Sequence, residues 1–179
     1  LRCLMVGRLH PVKAPLVALD AFERVAAARP AARLDVVGGD EGLEAACRRR
    51  VAASPLLAPR TTFHGAQPRE AMPVFYAGAD VLIHASTREW CSLAVLEALA
   101  CGVVPCAVDQ PSMRALTDGG RAGRLVPAGD ADALADAVLD VAGPALDAAS
   151  RAAARHFEAR LGFGALGRRL AQVYEEGGA

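Results

Sequence analysis

Short apolar runs alternate along the chain with longer segments in which apolar residues recur at helical spacing. In the first long segment, Leu16, Leu19, Phe22 and Val25 fall three or four residues apart, which predicts a helix with one buried face. Six shorter runs are nearly all apolar, as strands buried on both faces of a sheet require. These predicted strands lie within residues 1–7, 32–39, 60–65, 80–86, 103–108 and 123–130.

Predicted helices stand between the strands, at 14–30, 40–54, 69–79, 93–102 and 130–143. This alternation predicts an α/β fold, a doubly wound parallel sheet of the Rossmann-like kind. The tail, 144–176, has the pattern of two further helices, broken near Gly162 and Gly164. A chain of 179 residues is long enough for one core, so residues 1–179 are taken as one domain that includes the C-terminal helices 144–176.

The composition is that of a globular protein and gives no reason to expect a nucleic-acid partner. Apolar residues make up 53% of the chain, charged residues 22%, and the formal net charge is zero. These values argue against disorder, and the absence of long basic runs removes the electrostatic basis for binding nucleic acid. The one basic cluster, Arg48 to Arg50, is typical of a solvated helix face, with a phosphate or membrane contact as the alternative.

The cysteines indicate a reducing compartment. The five are Cys3, Cys47, Cys91, Cys101 and Cys106. Their odd number and the lack of a CxxC pair fit neither a disulfide framework nor a zinc site. Reduced thiols in a cytoplasmic protein are the expectation, and no signal peptide is apparent. The chain begins at Leu1, inside a strand-like run, from which we expect a fragment of a longer protein.

The loop after the first predicted strand, GRLHPVK, carries two cations. In an open parallel sheet, ligands bind outside the carboxyl ends of the strands. Arg8 and Lys13 would stand there and could neutralise an anionic group, with Arg engaging phosphate through two hydrogen bonds. The alternative is that both are ordinary solvated loop residues.

The loop after the fourth predicted strand leads into a helix that contains an acid. In REWCSLAVLEALACG, Glu89 lies before the helix and Glu97 about one turn inside it. The backbone N–H groups around Cys91, Ser92, Leu93 and Ala94 would stand at the helix N-terminus and could bind an anion. Glu97 could then accept hydrogen bonds from two neighbouring hydroxyls, as the acidic residue of dinucleotide folds does with ribose. Glu89 would face whatever extends beyond the phosphates.

Other candidate motifs are weaker. VVGGDEG has the glycines of a phosphate turn, but it follows the second strand and does not match GxGxxG, so a simple tight turn is the alternative. The histidines at 10, 64, 84 and 156 lack metal-ligand spacing. His84 ends an apolar strand and has the pattern of a core histidine with satisfied hydrogen bonds.

Taken together, these segments resemble the C-terminal, donor-binding domain of a GT-B fold, family 4 (group 1) retaining glycosyltransferase. The resemblance lies in VGRLHPVKAPLVALDAF, FHG, VFYAGADVLIHAS, EWCSLAVLEALACGVVP and GRLVPAGDADALADAV, which cover nearly the whole chain in the family's order. The Glu-x7-Glu pair with EALACG is the most specific part.

The resemblance implies a nucleoside diphosphate sugar as donor substrate, with UDP, GDP and ADP all open, and no metal or other required cofactor. It implies that Arg8 and Lys13 neutralise the diphosphate and that Glu97 binds the ribose. Glu89, with backbone groups of Trp90, Cys91, Ser92 and Leu93, would hold the sugar. The base would lie against loops near Gly38, Gly65, Ala66 and Gln67. Glu89, Arg8 and Lys13 are therefore the residues assigned to catalysis.

The resemblance also implies a partner domain. In such enzymes a separate N-terminal domain, which this sequence lacks, binds the acceptor, so we expect a hexosyltransferase whose isolated donor half binds nucleotide without catalysing transfer. The full-length protein could associate peripherally with the cytoplasmic face of a membrane. The family's last helix often crosses to the other domain, so the apolar stripe from Phe163 to Tyr174 is expected to be partly uncovered and to favour association in solution.

Three features depart from the family pattern. Trp90, Cys91 and Ser92 replace a glycine–aromatic–glycine triplet, and Ala14 replaces the usual glycine after the lysine. After the fifth strand, the loop DQPSMRALTDG places Gln110, Pro111 and Ser112 where Gly-Gly is common, with Arg114 near the position of an acid. We expect this loop to affect the choice of sugar or acceptor, or to lower activity.

Three other functions are weighed against this one. A GT-B epimerase or phosphorylase is an alternative within enzymes, although the order of motifs is that of the transferases. A regulatory nucleotide-binding domain without catalysis is a second alternative, which the Arg114 loop favours. A glycosidase that uses Glu89 and Glu97 as its acid and nucleophile fits poorly, because such carboxylates must flank a single bond.

Overall fold

A computed structural model describes residues 1–177 of the chain, and residues 178 and 179 of the predicted domain lie outside the described part. Its centre is a sheet of six parallel strands in the order β3-β2-β1-β4-β5-β6. The strands are β1 (Arg2–Val6), β2 (Arg33–Val37), β3 (Thr61–Gly65), β4 (Val81–His84), β5 (Val104–Val108) and β6 (Arg124–Val126). The predicted doubly wound α/β fold is therefore confirmed.

Eight α-helices accompany these strands in the described residues. They are α1 (Pro15–Ala28), α2 (Glu44–Ala52), α3 (Met72–Ala77), α4 (Leu93–Ala100), α5 (Pro111–Leu116), α6 (Ala131–Val141), α7 (Leu146–His156) and α8 (Phe163–Gly177). Short 3-10 turns at Pro11–Lys13 and Arg69–Ala71 lead into α1 and α3, and a π-helical turn at Phe157–Leu161 separates α7 from α8. The break predicted near Gly162 and Gly164 thus falls just before α8.

Alternate residues of the strands face two separate cores. On one face, Cys3 and Met5 of β1 pack with apolar residues of α1, α2 and α6, among them Phe22 and Leu134. On the other face, Leu4 packs with side chains of α3, α4, α5 and α7. Because successive side chains of a strand point to opposite faces, strands with helices on both sides must be apolar throughout. This requirement explains the continuous apolar runs of the sequence.

Side chains cap several helices and set where they begin. The Asp130 carboxylate accepts a hydrogen bond from Ala133 N at 2.8 Å and thereby caps the start of α6. Asp40 accepts from Gly42 N and Glu44 N, so α2 begins at Glu44 rather than at residue 40. Gly102 has φ of 71°, the left-handed conformation that commonly ends a helix, and it lies just after α4, at the end of the predicted helix 93–102.

Helix α5 was not predicted from the sequence. The sequence pattern predicts a loop over DQPSMRALTDG, but Pro111–Leu116 forms a helix with Pro111 at its start. A proline is well suited to the first turn of a helix, where its missing N–H costs nothing. Met113 and Leu116 are buried in the second core, so tertiary packing stabilises a helix too short to stand alone.

The C-terminal helix carries its apolar stripe on the surface. Phe163 is 95% exposed and Tyr174 79%, with Leu166, Leu170 and Val173 also exposed. The stripe is therefore uncovered in this chain, as expected, while association in solution stays a prediction. None of the helices described is both long enough and apolar enough to cross a bilayer.

Candidate functional site

The strand order reverses direction between β1 and β4, at the centre of the sheet. The chain adds β2 and β3 on one side of β1 and then returns to place β4 on the other side. The crevice at such a switch point is the usual ligand site of an open parallel sheet. The two loops selected from the sequence, after β1 and after β4, flank this crevice.

The connection from β1 to α1 is fixed by local hydrogen bonds. Gly7 N donates to Val37 O at 2.9 Å, and the His10 ring accepts from Val12 N at 3.1 Å to cap the turn that ends at Lys13. Ala14 follows with φ of 46°. An alanine in this left-handed region costs about 1–2 kcal/mol, which explains why a glycine is common at this position and shows that the fold tolerates its replacement.

Glycines bring the first three loops of the sheet close together. Gly38 has φ of 157°, and a Cβ built on it would lie 1.9 Å from Gly7 O. No other residue fits there, because the two backbones touch. Gly38 N also donates to Gly65 O at 2.8 Å, and Gly65 itself has φ of 69°. The predicted residues Gly38 and Gly65 therefore join the loop after β1 to those after β2 and β3.

Lys13 and Glu89 form an ion pair across the crevice. The Lys13 ammonium contacts the Glu89 carboxylate, and their side chains are only 23% and 11% exposed. A hydrogen bond from His84 and the Lys13 charge outweigh burial and lower the pKa of Glu89 to about 2. Glu89 is therefore an anion at neutral pH. Lys13 and Glu89, both predicted for the site, form a contact between opposite charges.

The backbone of Glu89 is held by the start of α5. Glu89 N donates to the Gln110 side chain at 3.0 Å, and the Gln110 amide in turn donates to Ser86 O at 2.9 Å. Ser112 Oγ donates to Glu89 O at 2.6 Å. The backbone N–H and C=O of Glu89 are therefore both hydrogen-bonded to residues 110–112, where the sequence departs from the family pattern. This contact could not be read from the sequence, which gives no sign that the two loops meet.

The N-terminus of α4 closes the other side of the crevice. Ser92 is its cap and accepts from Val95 N, at 3.4 Å. With Lys13 and Glu89, the residues around this cap enclose an open cavity of about 290 Å³. The cavity is lined by Val6, Gly7, Arg8, Lys13, Glu89, Cys91, Ser92, Leu93 and Ala94. Six residues predicted for the site thus share one cavity.

Arg8 lies at the rim, where it is already paired. Its Nη1 contacts both carboxylate oxygens of Glu41, at 2.7 and 2.9 Å, and its side chain is 64% exposed. Trp90 lies outside the cavity, 93% exposed. Arg114 pairs with Asp109, with Nη2 at 2.7 Å from Oδ2. The prediction that Trp90 takes part in the site therefore rests on its backbone, since its ring points into solvent.

Glu97 lies in a neighbouring groove rather than in the cavity. It is half-buried and, with Arg69, Met72, Pro73 and Tyr76, lines a groove of about 190 Å³ between α3 and α4. Glu97 follows Leu93 by four positions, so the two lie on one face of α4, one turn apart. Burial raises the pKa of the Tyr76 hydroxyl, and the nearby Glu97 carboxylate raises it further.

His84 is the residue of this site that the sequence pattern assigned to the core. It is the last residue of β4 and is 5% exposed, as expected for a core residue. Its Nε2, however, lies 2.9 Å from Ser92 Oγ and 3.5 Å from Glu89 Oε1. The one available signal was its position, since the carboxyl end of a central strand is where ligand sites form. The described residues hold no group of three or more His, Cys, Asp or Glu arranged to bind a metal.

Comparisons with known proteins give the family. The family model of glycosyl transferases group 1 matches residues 1–143. The D-inositol 3-phosphate glycosyltransferase of Mycolicibacterium paratuberculosis is 35% identical over 157 residues, a match that covers 84% of this chain and 35% of that protein. The chain thus spans about a third of the length of this curated relative.

Two solved structures show the same fold. Anabaena Alr3699/HepE, in complex with UDP and glucose, has a TM-score of 0.82 at 21% identity, covering 98% of this chain and 48% of that one. The C-terminal domain of a glycosyl transferase group 1 family protein (LpcC) from Francisella tularensis has a TM-score of 0.82 at 17% identity, covering 90% of this chain and 86% of that one. The chain has a Rossmann-like α/β fold that matches the C-terminal domains of GT-B glycosyltransferases, and it belongs to the group 1 family of glycosyltransferases.

Proposed function

We propose that this chain is the donor-binding domain of a retaining glycosyltransferase, which transfers a hexose from a nucleoside diphosphate sugar to an acceptor hydroxyl. The observation that carries the proposal is the cavity at the switch point. There Lys13, the mostly buried Glu89 carboxylate and the N-terminus of α4 line one cavity. The two phosphates need cationic groups and N–H donors, and the sugar hydroxyls need a fixed acceptor. This cavity offers both within one crevice.

The diphosphate would bind between the loop after β1 and the start of α4. Lys13 supplies a positive charge inside the cavity, and the N–H groups near Leu93 supply hydrogen-bond donors. Arg8 supplies a guanidinium at the rim. Because Arg8 is already paired with Glu41, a phosphate must share or replace that carboxylate. Lys13 is held inside the cavity, so in this proposal it contributes more to phosphate binding than Arg8 does.

The sugar and the nucleoside would lie at opposite ends of the diphosphate. Glu89, fixed by Lys13, His84 and the start of α5, would accept hydrogen bonds from sugar hydroxyls. Glu97, one turn further along α4, would accept from the ribose hydroxyls. The base would then rest against the loops at Gly38 and 65–67, which the glycine contacts hold together.

The chemistry would depend on charge at the departing phosphate. When the bond between the anomeric carbon and the phosphate oxygen breaks, that oxygen gains negative charge. Lys13, Arg8 and the α4 N–H groups would stabilise this charge as it develops. The acceptor hydroxyl would attack from the face that the phosphate leaves, give its proton to a departing phosphate oxygen, and thereby keep the anomeric configuration. No metal has a role in this scheme.

The acceptor site is assigned to another part of the protein. The relatives are about two to three times as long as the matched region, and HepE was solved with UDP and glucose. We infer that this chain binds nucleotide weakly and does not transfer sugar by itself, because we assign the acceptor site to a second domain. We assign the full protein to the cytoplasm, with peripheral contact to the membrane when its acceptor is lipid-linked.

Calorimetry with UDP, GDP and ADP and their glucose conjugates tests the assignment. One diphosphate is expected to bind at micromolar to millimolar Kd, with binding weakened in Lys13→Ala and unchanged in the control Arg24→Ala. Arg24 is a suitable control because it pairs with Asp132 at 2.7 Å, away from the crevice. No binding of any nucleotide would refute the donor site, and turnover by these 179 residues would refute the need for a second domain.

A further inference from the structure

His84 is the one buried titratable side chain that joins the two halves of the candidate site. It ends β4, and its side chain is only 4% exposed. From this rigid position its Nε2 reaches Ser92 Oγ at 2.9 Å and Glu89 Oε1 at 3.5 Å. One partner caps helix α4 and the other is the carboxylate assigned to the sugar.

The hydrogen-bonding capacities of the three groups indicate where the imidazole proton lies. An ionised Glu89 can only accept, and the Ser92 hydroxyl oxygen is free to accept from the ring as well as from Val95 N. A proton on Nε2 serves both. It leaves Nδ1 as a buried acceptor with no partner among residues 1–177, which proteins tolerate better than an orphaned N–H donor.

This arrangement controls geometry on both sides of the ring. The Ser92 hydroxyl accepts from Val95 N and thereby helps to fix the first turn of α4. Lys13 contacts the same carboxylate oxygen of Glu89, Oε1, and Ser112 donates to the Glu89 carbonyl at 2.6 Å. Among the hydrogen bonds and ion pairs of residues 1–177, those of His84 reach both the helix cap and the acid.

We propose that His84 is a positioning residue, which holds the Glu89 carboxylate at a set place relative to the N-terminus of α4. The importance of this position for sugar binding rests on the function proposed above. His84 does not touch the donor in this account, and acts through Glu89 and Ser92. Removing the ring would let the carboxylate turn toward Lys13 alone, so the sugar would lose its fixed acceptor while the nucleoside kept its contacts.

The first test needs no ligand. The titration of the Glu89 side-chain carboxyl is followed by 13C NMR in wild type, His84→Leu, His84→Gln and the control His64→Leu. His64 is a matched control because it also contacts a carboxylate, Asp35, at 2.6 Å, but on the outer part of the sheet. The pKa of Glu89, about 2 in the wild type, should rise toward its ordinary range in His84→Leu. It should stay low in His84→Gln, whose amide can still donate, and in His64→Leu.

The second test separates positioning from simple damage to the fold. UMP carries the base, the ribose and one phosphate but lacks the glucose, whereas UDP-glucose carries all parts of a donor. We expect His84→Leu to weaken UDP-glucose binding about tenfold and UMP binding less than twofold, the loss of one hydrogen bond to a charged group. His84→Gln should recover most of the loss. Thermal unfolding curves of each variant check that the fold persists.

The outcomes distinguish this proposal from the one it rests on. If the wild type binds no nucleotide, the proposed function fails, while the NMR titration still decides whether His84 holds Glu89. If the pKa of Glu89 is unchanged in His84→Leu, the positioning role is overturned whatever the nucleotide data show. Equal losses for UDP-glucose and UMP would overturn it as well, since they would indicate a purely structural histidine.

Discussion

The two glutamates of REWCSLAVLEALACG stand in opposite environments, although only one helical turn and a loop separate them. Glu89 is nearly buried, paired with Lys13, close to His84 and held through both of its peptide groups. Glu97 is half-buried in an open groove beside Tyr76. The protein organises Glu89 during folding, so its position is set before a ligand arrives. Glu97 lines an open groove, where a ligand can reach it.

Removing Lys13, the cation paired with Glu89, should have the largest effect on nucleotide binding. Lys13→Ala deletes the charge assigned to the diphosphate and also leaves Glu89 without its ion-pair partner. We expect UDP affinity to fall by about 30–100-fold, since breaking a largely desolvated charge contact costs about 2–3 kcal/mol. Calorimetry on Lys13→Ala beside Arg24→Ala measures this. A loss below threefold would place the diphosphate elsewhere.

Removing Glu97, the acid in the open groove, should lower UDP affinity somewhat less. Glu97→Ala is expected to weaken UDP binding about 10–30-fold, the value of hydrogen bonds from ribose hydroxyls to a charged acceptor. The exposed Glu175 provides the control, Glu175→Ala. Competition experiments should show that wild type loses affinity for 2′-deoxy-UDP, whereas Glu97→Ala binds UDP and 2′-deoxy-UDP more nearly alike. If the variant still strongly prefers the ribose form, Glu97 is not its partner.

Acid should remove the stability that the ionised Glu89 carboxylate contributes to the fold. The pKa of Glu89 is lowered from an ordinary 4.5 to about 2, so its contribution to stability is present above pH 4.5 and is lost as the pH falls toward 2. We expect wild type to exceed Glu89→Gln by roughly 1–2 kcal/mol in free energy of unfolding at pH 7, after allowance for solvent screening.

Urea unfolding of both proteins between pH 7 and pH 3 measures this difference. It should shrink as the pH passes below about 4.5. Glu158→Gln, at an exposed position, gives the background acid dependence of the fold. A difference that stays constant down to pH 3 would show that the contacts of Glu89 do not depend on its charge.

The exposed cation at the rim should have the smallest effect. Arg8 is 64% exposed and already paired with Glu41. Arg8→Ala should therefore lower UDP affinity only about three- to fivefold, within the range of about 1 kcal/mol for a surface ion pair. Titrations in 50 mM and 500 mM salt should show this effect shrinking while that of Lys13→Ala persists. An Arg8 effect larger than that of Lys13 would reverse the ranking of the two cations.

The sequence was sufficient to predict the fold and to bring the loops of the candidate site to one edge of the sheet. Apolar strand patterns gave all six strands within a few residues, because a sheet buried on both faces tolerates few polar residues. The rule that ligands bind at the carboxyl ends of strands then selected the loops of Arg8, Lys13 and Glu89, which the fold brings to one crevice. The roles of these residues stay predictions.

What the sequence could not give were contacts between residues far apart in the chain. The pairing of Arg8 with Glu41 and the hydrogen bonds of Gln110 and Ser112 to Glu89 depend on the paths of three loops. Helix α5 was missed because its stability comes from burying Met113 and Leu116 rather than from local propensity. His84 was correctly placed in the interior, but burial alone does not reveal that its ring reaches an acid and a helix cap.

The most direct test of the central claim is to map UDP-glucose onto the chain by NMR. A 15N-labelled sample is titrated with the ligand, and backbone amide shifts are compared with those in Lys13→Ala. The account predicts that the largest shifts cluster at 7–13, 89–94 and 65–67, with a smaller change at Glu97, and that Lys13→Ala needs about 30–100 times more ligand to reach the same shifts. Shifts centred on another surface, or the same shifts in Lys13→Ala at the same ligand concentration, would contradict the assignment of the donor site to this crevice.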